Sequence, residues 1–450
     1  MTGYLSIPTA GNRRKVLALA LPIVVASLSQ TVMSLVDIAM VGRLGVAAVA
    51  AVGLAGLVTF ALTSFLGSLQ TGVQTVAARR KGEGRMAEAG ATFRVSWRVA
   101  VVAGHLLVGL FLAVVPRLFP LLNSDPLVVD PGVSYLWYRG LSVGLVMMSA
   151  VYYGFYNAIS RTRIHMAVTL VANSANVILN YGLIFGRLGL PEMGVPGAGL
   201  ATTLAIALAT VLYTLPLLGH ALRRTYPGLW RGPFDIATLK KVLRIALPVS
   251  FHDSGVILGF AFFMVIMGRI STLALAASEI LLNMIAFSFL PALGFSHAAQ
   301  TLVSESLGRN DPAAARRLTE TATIQCIAFM GSLGVLFLLI PAQLLRLFTP
   351  DAALIATAVP PLRLLGLVQF IDAVGMVHYG ALRGAGDVIV PALAEIGLMW
   401  FFLLPMSWYL GLYLGWGLSG GWIAVTLHIV AYSAVFLIRF VRGPWQRIEV

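Results

Sequence analysis

Stretches of about twenty residues with almost no charge recur along the whole chain, and a helix of about that length crosses the hydrocarbon of a bilayer. Twelve such stretches stand out. They run over 16–41, 46–70, 88–116, 133–157, 163–185 and 197–218, then 241–268, 273–299, 318–340, 355–380, 388–412 and 418–440. Of the 450 residues 59% are apolar and only 11% charged, against about 25% charged in a soluble globular chain. The polar surface that would keep a fold in water is missing, which excludes a soluble domain, a disordered chain and a collagen-like rod. The fold class implied is an all-α membrane protein with twelve transmembrane helices. The 45 Gly and 21 Pro suit it, because membrane helices tolerate both in packing and in kinks.

The net charge of +14 would fit a nucleic-acid partner, but the positions of the basic residues argue otherwise. With the N-terminus inside, the inner segments hold 22 of the 31 Lys and Arg, from Arg13, Arg14 and Lys15 to Arg439, Arg442 and Arg447. The outer segments hold seven, and Arg94 and Arg98 fall near the inner end of span three. Basic residues retained in cytoplasmic loops orient the spans, so both termini are expected in the cytoplasm and no nucleic acid is needed. Arg13–Lys15 precede an apolar stretch too long for a signal-peptide core and without a cleavage site, so a retained first span is expected. The single cysteine, Cys326, forbids an internal disulfide and reads as packing.

A duplication runs through the chain. Ala20-Leu21-Pro22 recurs as Ala246-Leu247-Pro248, Gly42-Arg43 as Gly268-Arg269 and Gln74-Thr75 as Gln300-Thr301, all at an offset of 226. Tyr156 and Ala158 recur at 223, and Gly199 at 222. Six spans separate equivalent points, so the halves share one orientation and are expected as two six-helix bundles related by a pseudo-two-fold along the membrane normal, as in secondary transporters. Span counting places the N-terminal bundle at 1–218, a cytoplasmic linker at 219–239 and the C-terminal bundle at 240–450. Pro227-Gly228 and Pro233 suit a linker more than a helix.

Ionisable groups inside a bilayer are costly and mark function by default. Five acids fall well within spans: Asp37, Asp253, Glu279, Asp372 and Glu395. His105, His252, His297, His378 and His428 join them. At about 1.5 Å per residue, Asp37, Asn180 and Thr202 reach a similar level in the outer half of spans one, five and six. Asn176 shares a helix face with Asn180. Oxygen-bearing side chains from three spans at one depth form a cation-site pattern, although ordinary interhelical hydrogen bonding would use the same residues. In the second half Asp253 and Asp372 come near the midplane, while Glu279 and Glu395 are shallow. Spacing alone leaves open whether that set couples, binds substrate or pairs internally. Pro22 and Pro248 stand early in spans one and seven, where each frees a carbonyl and permits a kink. Met147, Met148, Met264, Met267 and Met284, with Phe287 and Phe289, have two readings, lining of an adaptable apolar cavity or plain packing.

The chain has no phosphate-binding G-x-x-x-x-G-K-[ST] loop and no H-E-x-x-H. G-x-S-x-G occurs at Gly140–Gly144 and at Gly417–Gly421, but neither follows a strand, as a nucleophile elbow must. No enzyme and no cofactor is expected, and the energy is expected from an H⁺ or Na⁺ gradient.

Leu21-Pro22 with Val36-Asp37-Ile38-Ala39-Met40-Val41-Gly42, then Asn176-Val-Ile-Leu-Asn180-Tyr181-Gly-Leu-Ile-Phe-Gly186, resemble the multidrug and toxic compound extrusion (MATE) family. Gly197-Ala-Gly-Leu-Ala201-Thr202, Ala298-Ala-Gln-Thr-Leu302 and Leu382-Arg-Gly-Ala-Gly-Asp387 fit the same pattern, which covers nearly the whole chain. The resemblance implies two six-helix bundles around a V-shaped cavity and export of organic cations or other amphiphiles against H⁺ or Na⁺. Asp37 matches the ion-carrying acid of the subfamily named for DNA-damage induction. That subfamily commonly has Asn then Asp in span five, where this chain has Asn176 and Asn180, leaving Asp37 the sole acid of the N-terminal site. The related Na⁺-using group carries a span-seven acid eight residues after the proline. Here that position is Val256, with Asp253 about one turn away, while its span-ten acid matches Asp372.

The expectation is therefore a monomeric antiporter of a bacterial inner membrane, working by alternating access on small amphiphilic or cationic substrates, with membrane lipid around it. Asp37, Asn176, Asn180 and Thr202 are expected to couple the cation, H⁺ before Na⁺. Asp253, Glu279 and Asp372 are expected to serve substrate or a second cation, with Na⁺ at Asp37 or Asp372 as the metal alternative. The other function class kept open is a flippase or exporter of a lipid-linked or endogenous metabolite.

Overall fold

A computed structural model describes residues 9–450, and no strand occurs among them. The helices are α1 Ala10–Gly42, α2 Val46–Gly67, α3 Leu69–Gly82, α4 Met86–Leu118, α5 Pro126–Gly140, α6 Ser142–Ala158, α7 Thr162–Phe185 and α8 Val195–Leu218. They continue as α9 His220–Thr225, α10 Ile236–Ile270, α11 Thr272–Gly308, α12 Pro312–Leu339, α13 Pro341–Leu345, α14 Ala352–Ala385, α15 Ile389–Leu398, α16 Leu404–Trp408 and α17 Gly417–Arg442. Eleven of the expected spans are helices long and apolar enough to cross a bilayer, counting Val46–Gly82 and Ile389–Tyr413 as one each. The remaining one, expected at 133–157, is α5 and α6. They meet at Leu141, whose backbone stays right-handed helical at φ −59° and ψ −26°. Span eleven carries two wider π turns, Met399–Leu403 and Tyr409–Tyr413. They flank Pro405, which has no N–H to give to the helical ladder.

The chain forms two compact units, Val25–Ser250 and the residues up to Val24 together with Phe251–Val450. The division expected at 218 and 240 follows chain order, whereas packing divides the chain inside α1 and α10. Both crossings lie two residues beyond a proline, Pro22 and Pro248, and they are 226 residues apart. The reason is apolar contact. Val16, Leu19, Ala20 and Val24 of α1 are buried with Phe295, Ala322, Cys326 and Val377. In the other unit the start of α10 packs so closely on α3 that a Cβ on Gly72 would collide with the Val242 carbonyl. The Ser250 hydroxyl donates to the Phe65 carbonyl at 2.8 Å.

Within each unit the same pairs of spans touch. In the first, α3 packs on α4 and α6, and α6 on α4 and α8; in the second, α11 packs on α12 and α14, and α14 on α12 and α17. The glycines show how deep the repeat goes. A Cβ on Gly104 of α4 would lie 2.8 Å from the Gly144 Cα of α6, and one on Gly366 of α14 would lie 2.7 Å from the Gly334 carbonyl oxygen of α12. Both contacts join the third and fourth spans of a unit. Gly144 belongs to one of the G-x-S-x-G matches, so its role there is helix packing. Met267 and Met284 are likewise core, buried with Phe263, Leu281 and Trp422.

The segment 219–239 is more ordered than a linker reading implies. It opens with α9 and then lies against α4. The Arg94 guanidinium donates to the carbonyls of Gly228, Arg231 (2.9 Å) and Pro233 (3.2 Å), and Arg98 to those of Gly232 (3.1 Å) and Trp230 (3.5 Å). Four residues apart, the two arginines share a helix face. Trp230 sits edge-on to Phe93 and Trp97, with centroids 5.6 and 5.5 Å away. A Cβ on Gly232, at φ +138°, would meet the Arg94 Cζ at 2.8 Å. Asp235 then caps α10, accepting from the Thr238 hydroxyl at 2.6 Å and the Ala237 amide at 2.9 Å. The Thr238 hydroxyl holds the Asp235 carboxyl below the usual carboxylate range.

Two stability predictions follow from these contacts. Gly104→Ala lowers the unfolding free energy of the purified protein in detergent by about 1–3 kcal/mol through overpacking. Gly109→Ala on the same helix, where a Cβ meets nothing within 4 Å, leaves it unchanged or raised. Arg94→Ala removes charged hydrogen bonds worth about 2 kcal/mol and speeds trypsin cleavage at Arg231; an unchanged digestion rate contradicts the clamp.

Candidate functional site

In the unit formed by Val25–Ser250, the structure brings together the four residues expected to couple a cation. The Asn180 amide nitrogen of α7 donates to the Asp37 Oδ1 of α1 at 2.6 Å and to the Asn176 Oδ1 at 3.0 Å. Asn176 donates in turn to the Thr202 hydroxyl of α8 at 3.3 Å, and that hydroxyl donates to the Ala198 carbonyl at 2.9 Å. Asn176 and Asn180 are fully buried, while Asp37 is half-buried. Among the described residues the carbonyl oxygen of Asn180 has no hydrogen-bond partner, and leaving a buried acceptor unsatisfied carries a cost. It stands beside the only carboxylate of the network. One carboxylate, two amide oxygens and a hydroxyl are oxygen groups of the kind that take up a proton or a small cation.

Sequence reasoning missed two features of this site. Asn173, one turn from Asn176 on α7, donates to Ser29 of α1 at 2.9 Å. The charge of Arg139 on α5 also reaches Asp37. Asn173 carried a signal, its helical register with Asn176 and Asn180. Arg139 carried none, since nothing local ties it to α1.

The second unit gathers its acids differently. His252 of α10 lies between two carboxylates, with Nε2 2.7 Å from Glu395 Oε2 and Nδ1 2.9 Å from Asp253 Oδ1. The Tyr379 hydroxyl of α14 is 3.0 Å from the same Nδ1. Both ring nitrogens of His252 thus face a carboxylate. Asp372 is buried on α14 and accepts from the Tyr432 hydroxyl of α17. Asp253 and Glu395 are joined through His252, and Asp372 is held separately by Tyr432. Glu279 is part of neither arrangement: its side chain is exposed on α11. His252, Tyr379 and Tyr432 were the missing partners. Asp253 and Asp372 thus have donors of their own, which is the internal-pairing alternative of the sequence reading. Among the described residues no group of three or more His, Cys, Asp or Glu is arranged to hold a metal ion.

Comparison with known proteins extends this picture. The MatE family model matches twice, over residues 22–182 and 248–409, and the two matches reproduce the duplication. The chain is 33% identical to a probable multidrug resistance protein NorM of Bradyrhizobium diazoefficiens, over 94% of this chain and 92% of that one. It is 27% identical to the multidrug resistance protein PmpM of Pseudomonas aeruginosa, over 96% and 91%. Among solved structures, an outward-facing multidrug resistance MATE transporter of the MOP superfamily superposes with a TM-score of 0.89 at 19% identity, over 99% of this chain and all of that one. A MOP superfamily transporter from Pyrococcus furiosus superposes with a TM-score of 0.88 at 18% identity, with the same coverage. The likeness to these structures carries the fold: twelve spans in two bundles. With both halves matched and a relative above 30% identity along nearly its whole length, the chain is a multi-pass membrane protein that belongs to the MATE family.

Proposed function

We propose that this protein exports amphiphilic or cationic organic compounds across a bacterial inner membrane in exchange for a cation, by alternating access. H⁺ carried by Asp37 is the coupling ion. The relatives named as multidrug resistance proteins support the substrate class. The observation that carries the coupling is the pairing of the Asp37 carboxylate with Asn180, whose carbonyl oxygen is left without a partner among the described residues.

A two-state cycle follows from that pair. When Asp37 is ionised, it accepts the Asn180 N–H. When Asp37 is protonated, its O–H needs an acceptor, and rotation of the Asn180 amide turns the unpartnered oxygen towards it. The rotation releases the Asn180 N–H from the Asn176 oxygen, so the change reaches Asn176 and Thr202 through hydrogen bonds already in place. Protonation thus exchanges a charge for a neutral group and one hydrogen-bond pattern for another. Both shift the balance between states only as far as the two states differ in proton affinity. A proton on Asp37 removes the charge that a cationic substrate needs, so the protonated and substrate-bound states are mutually exclusive there. No cofactor takes part, the energy comes from the ion gradient, and the protein works as a monomer with both termini in the cytoplasm. In the other unit Asp253 and Asp372 serve substrate or a second cation.

The test is transport of a fluorescent organic cation in everted vesicles. Asp37→Asn is expected to abolish proton-driven uptake, and Asn180→Ala to slow it about tenfold, the loss of one hydrogen bond to a charged group. Undiminished uptake by Asp37→Asn sinks the proton reading, and uptake driven by a Na⁺ gradient alone reassigns the ion.

A further inference from the structure

His165 takes no part in the site described above, yet it stands in register with it. On α7, His165, Thr169, Asn173, Asn176 and Asn180 follow one another at spacings of four, four, three and four. At about 100° per residue all five fall within one quarter of the helix circumference. The rest of α7 is largely apolar, so a continuous polar stripe on a membrane span is costly unless each member is used. Four of the five have a partner on a neighbouring span. Asn180 meets Asp37, Asn176 meets Thr202, and Asn173 meets Ser29 at 2.9 Å. His165 Nδ1 is 2.6 Å from the Tyr213 hydroxyl of α8. The stripe ends beside Arg161 and Arg163, which are exposed at the start of α7.

We propose that this face of α7 is the path along which Asp37 exchanges its proton with the membrane side bearing Arg161 and Arg163, and that the His165–Tyr213 pair is the relay at its mouth. The inference rests on the reading of Asp37 as the proton carrier. From Asn180 to His165 the path is about 22 Å long, with the hydroxyls of Ser29, Thr169 and Tyr213 and the Asn173 amide spaced along it. Water molecules bridge the intervals. Transfer runs as a relay of whole protons. The Asp37 O–H bond breaks as a water takes the proton, each hydroxyl or water receives one proton and releases another, and the imidazole takes a proton at one ring nitrogen while the other nitrogen releases one to solvent. Nothing is oxidised or reduced, and the imidazole leaves the exchange neutral. The titratable groups facing His165 are Tyr153 of α6, with ring centroids 4.0 Å apart, and Tyr213 of α8. Both are phenols, so His165 is the group in that shell built to pass a proton in both directions.

The experiment compares the full chain with His165→Ala, His165→Gln, Tyr213→Phe and Asp37→Asn in proteoliposomes under an imposed pH gradient, with an organic cation dye as substrate and imidazole added or withheld. The expected result is a fall of about tenfold or more in the proton-driven rate of His165→Ala and His165→Gln, a larger solvent deuterium isotope effect, and partial recovery of His165→Ala with external imidazole. Equilibrium dye binding stays at the level of the unaltered protein. Tyr213→Phe falls in between. If Asp37→Asn abolishes proton coupling while both His165 variants keep the full rate and isotope effect, the relay is overturned and the Asp37 reading survives. If Asp37→Asn still couples, the Asp37 reading fails and the relay with it. If the His165 variants lose rate and dye binding together, without imidazole recovery, the residue is structural and the relay is overturned. His165→Gln keeps the test open should His165→Ala not fold.

Discussion

Hydrocarbon gives a polar side chain no hydrogen-bond partner, so a polar group within a span turns to its own helix backbone, as Thr59 and Thr319 do, or to a side chain on a neighbouring helix. That requirement organises the protein. In the unit Val25–Ser250 it ties α1, α7 and α8 through Asp37, Asn180, Asn176 and Thr202. In the other it ties α10, α14, α15 and α17 through His252, Glu395, Tyr379, Asp372 and Tyr432. The apolar remainder of each span is interchangeable by comparison, and close approach is set by glycines, as at Gly104–Gly144 and Gly334–Gly366.

The two units meet the same requirement with different chemistry. In the Asp37 network the one acid is hydrogen-bonded to a neutral amide, with the Arg139 charge acting from α5, so protonation removes the network's negative charge. The cluster around His252 sets one imidazole between two carboxylates, and Asp372 has the Tyr432 hydroxyl, so each acid there already has a donor. A duplicated scaffold with the same span contacts in each half thus carries one site poised to change charge and another built to hold it. This asymmetry is why the coupling role is placed at Asp37 and not at Asp372.

How much of this was legible in the sequence depends on what periodicity encodes. Apolar run length gives the number of spans, helical rise gives depth, and spacing of three or four gives a shared face. Asp37, Asn180 and Thr202 are therefore recognisable as one level from the sequence, and Asn176 as sharing a face with Asn180. Lateral neighbours are not encoded that way. His252 and Glu395 are 143 residues apart, and nothing in either segment names the other. The packing of Val16–Val24 with the C-terminal half is equally silent, because an apolar stretch matches any apolar groove. Arg94 and Arg98 are silent for a related reason: their place near the inner end of span three does not say that they hold backbone carbonyls of segment 219–239.

The central claim is that substrate and proton compete through Asp37. The most direct measurement is the proton count on binding, from titration calorimetry of an organic cation into the purified protein in buffers of different ionisation enthalpy. Release approaching one proton per substrate bound is predicted at a pH below the midpoint of the Asp37 titration in the free protein, falling to about half at that midpoint, and none from Asp37→Asn. Equal release from both proteins, or binding that releases Na⁺ and no proton, would contradict it.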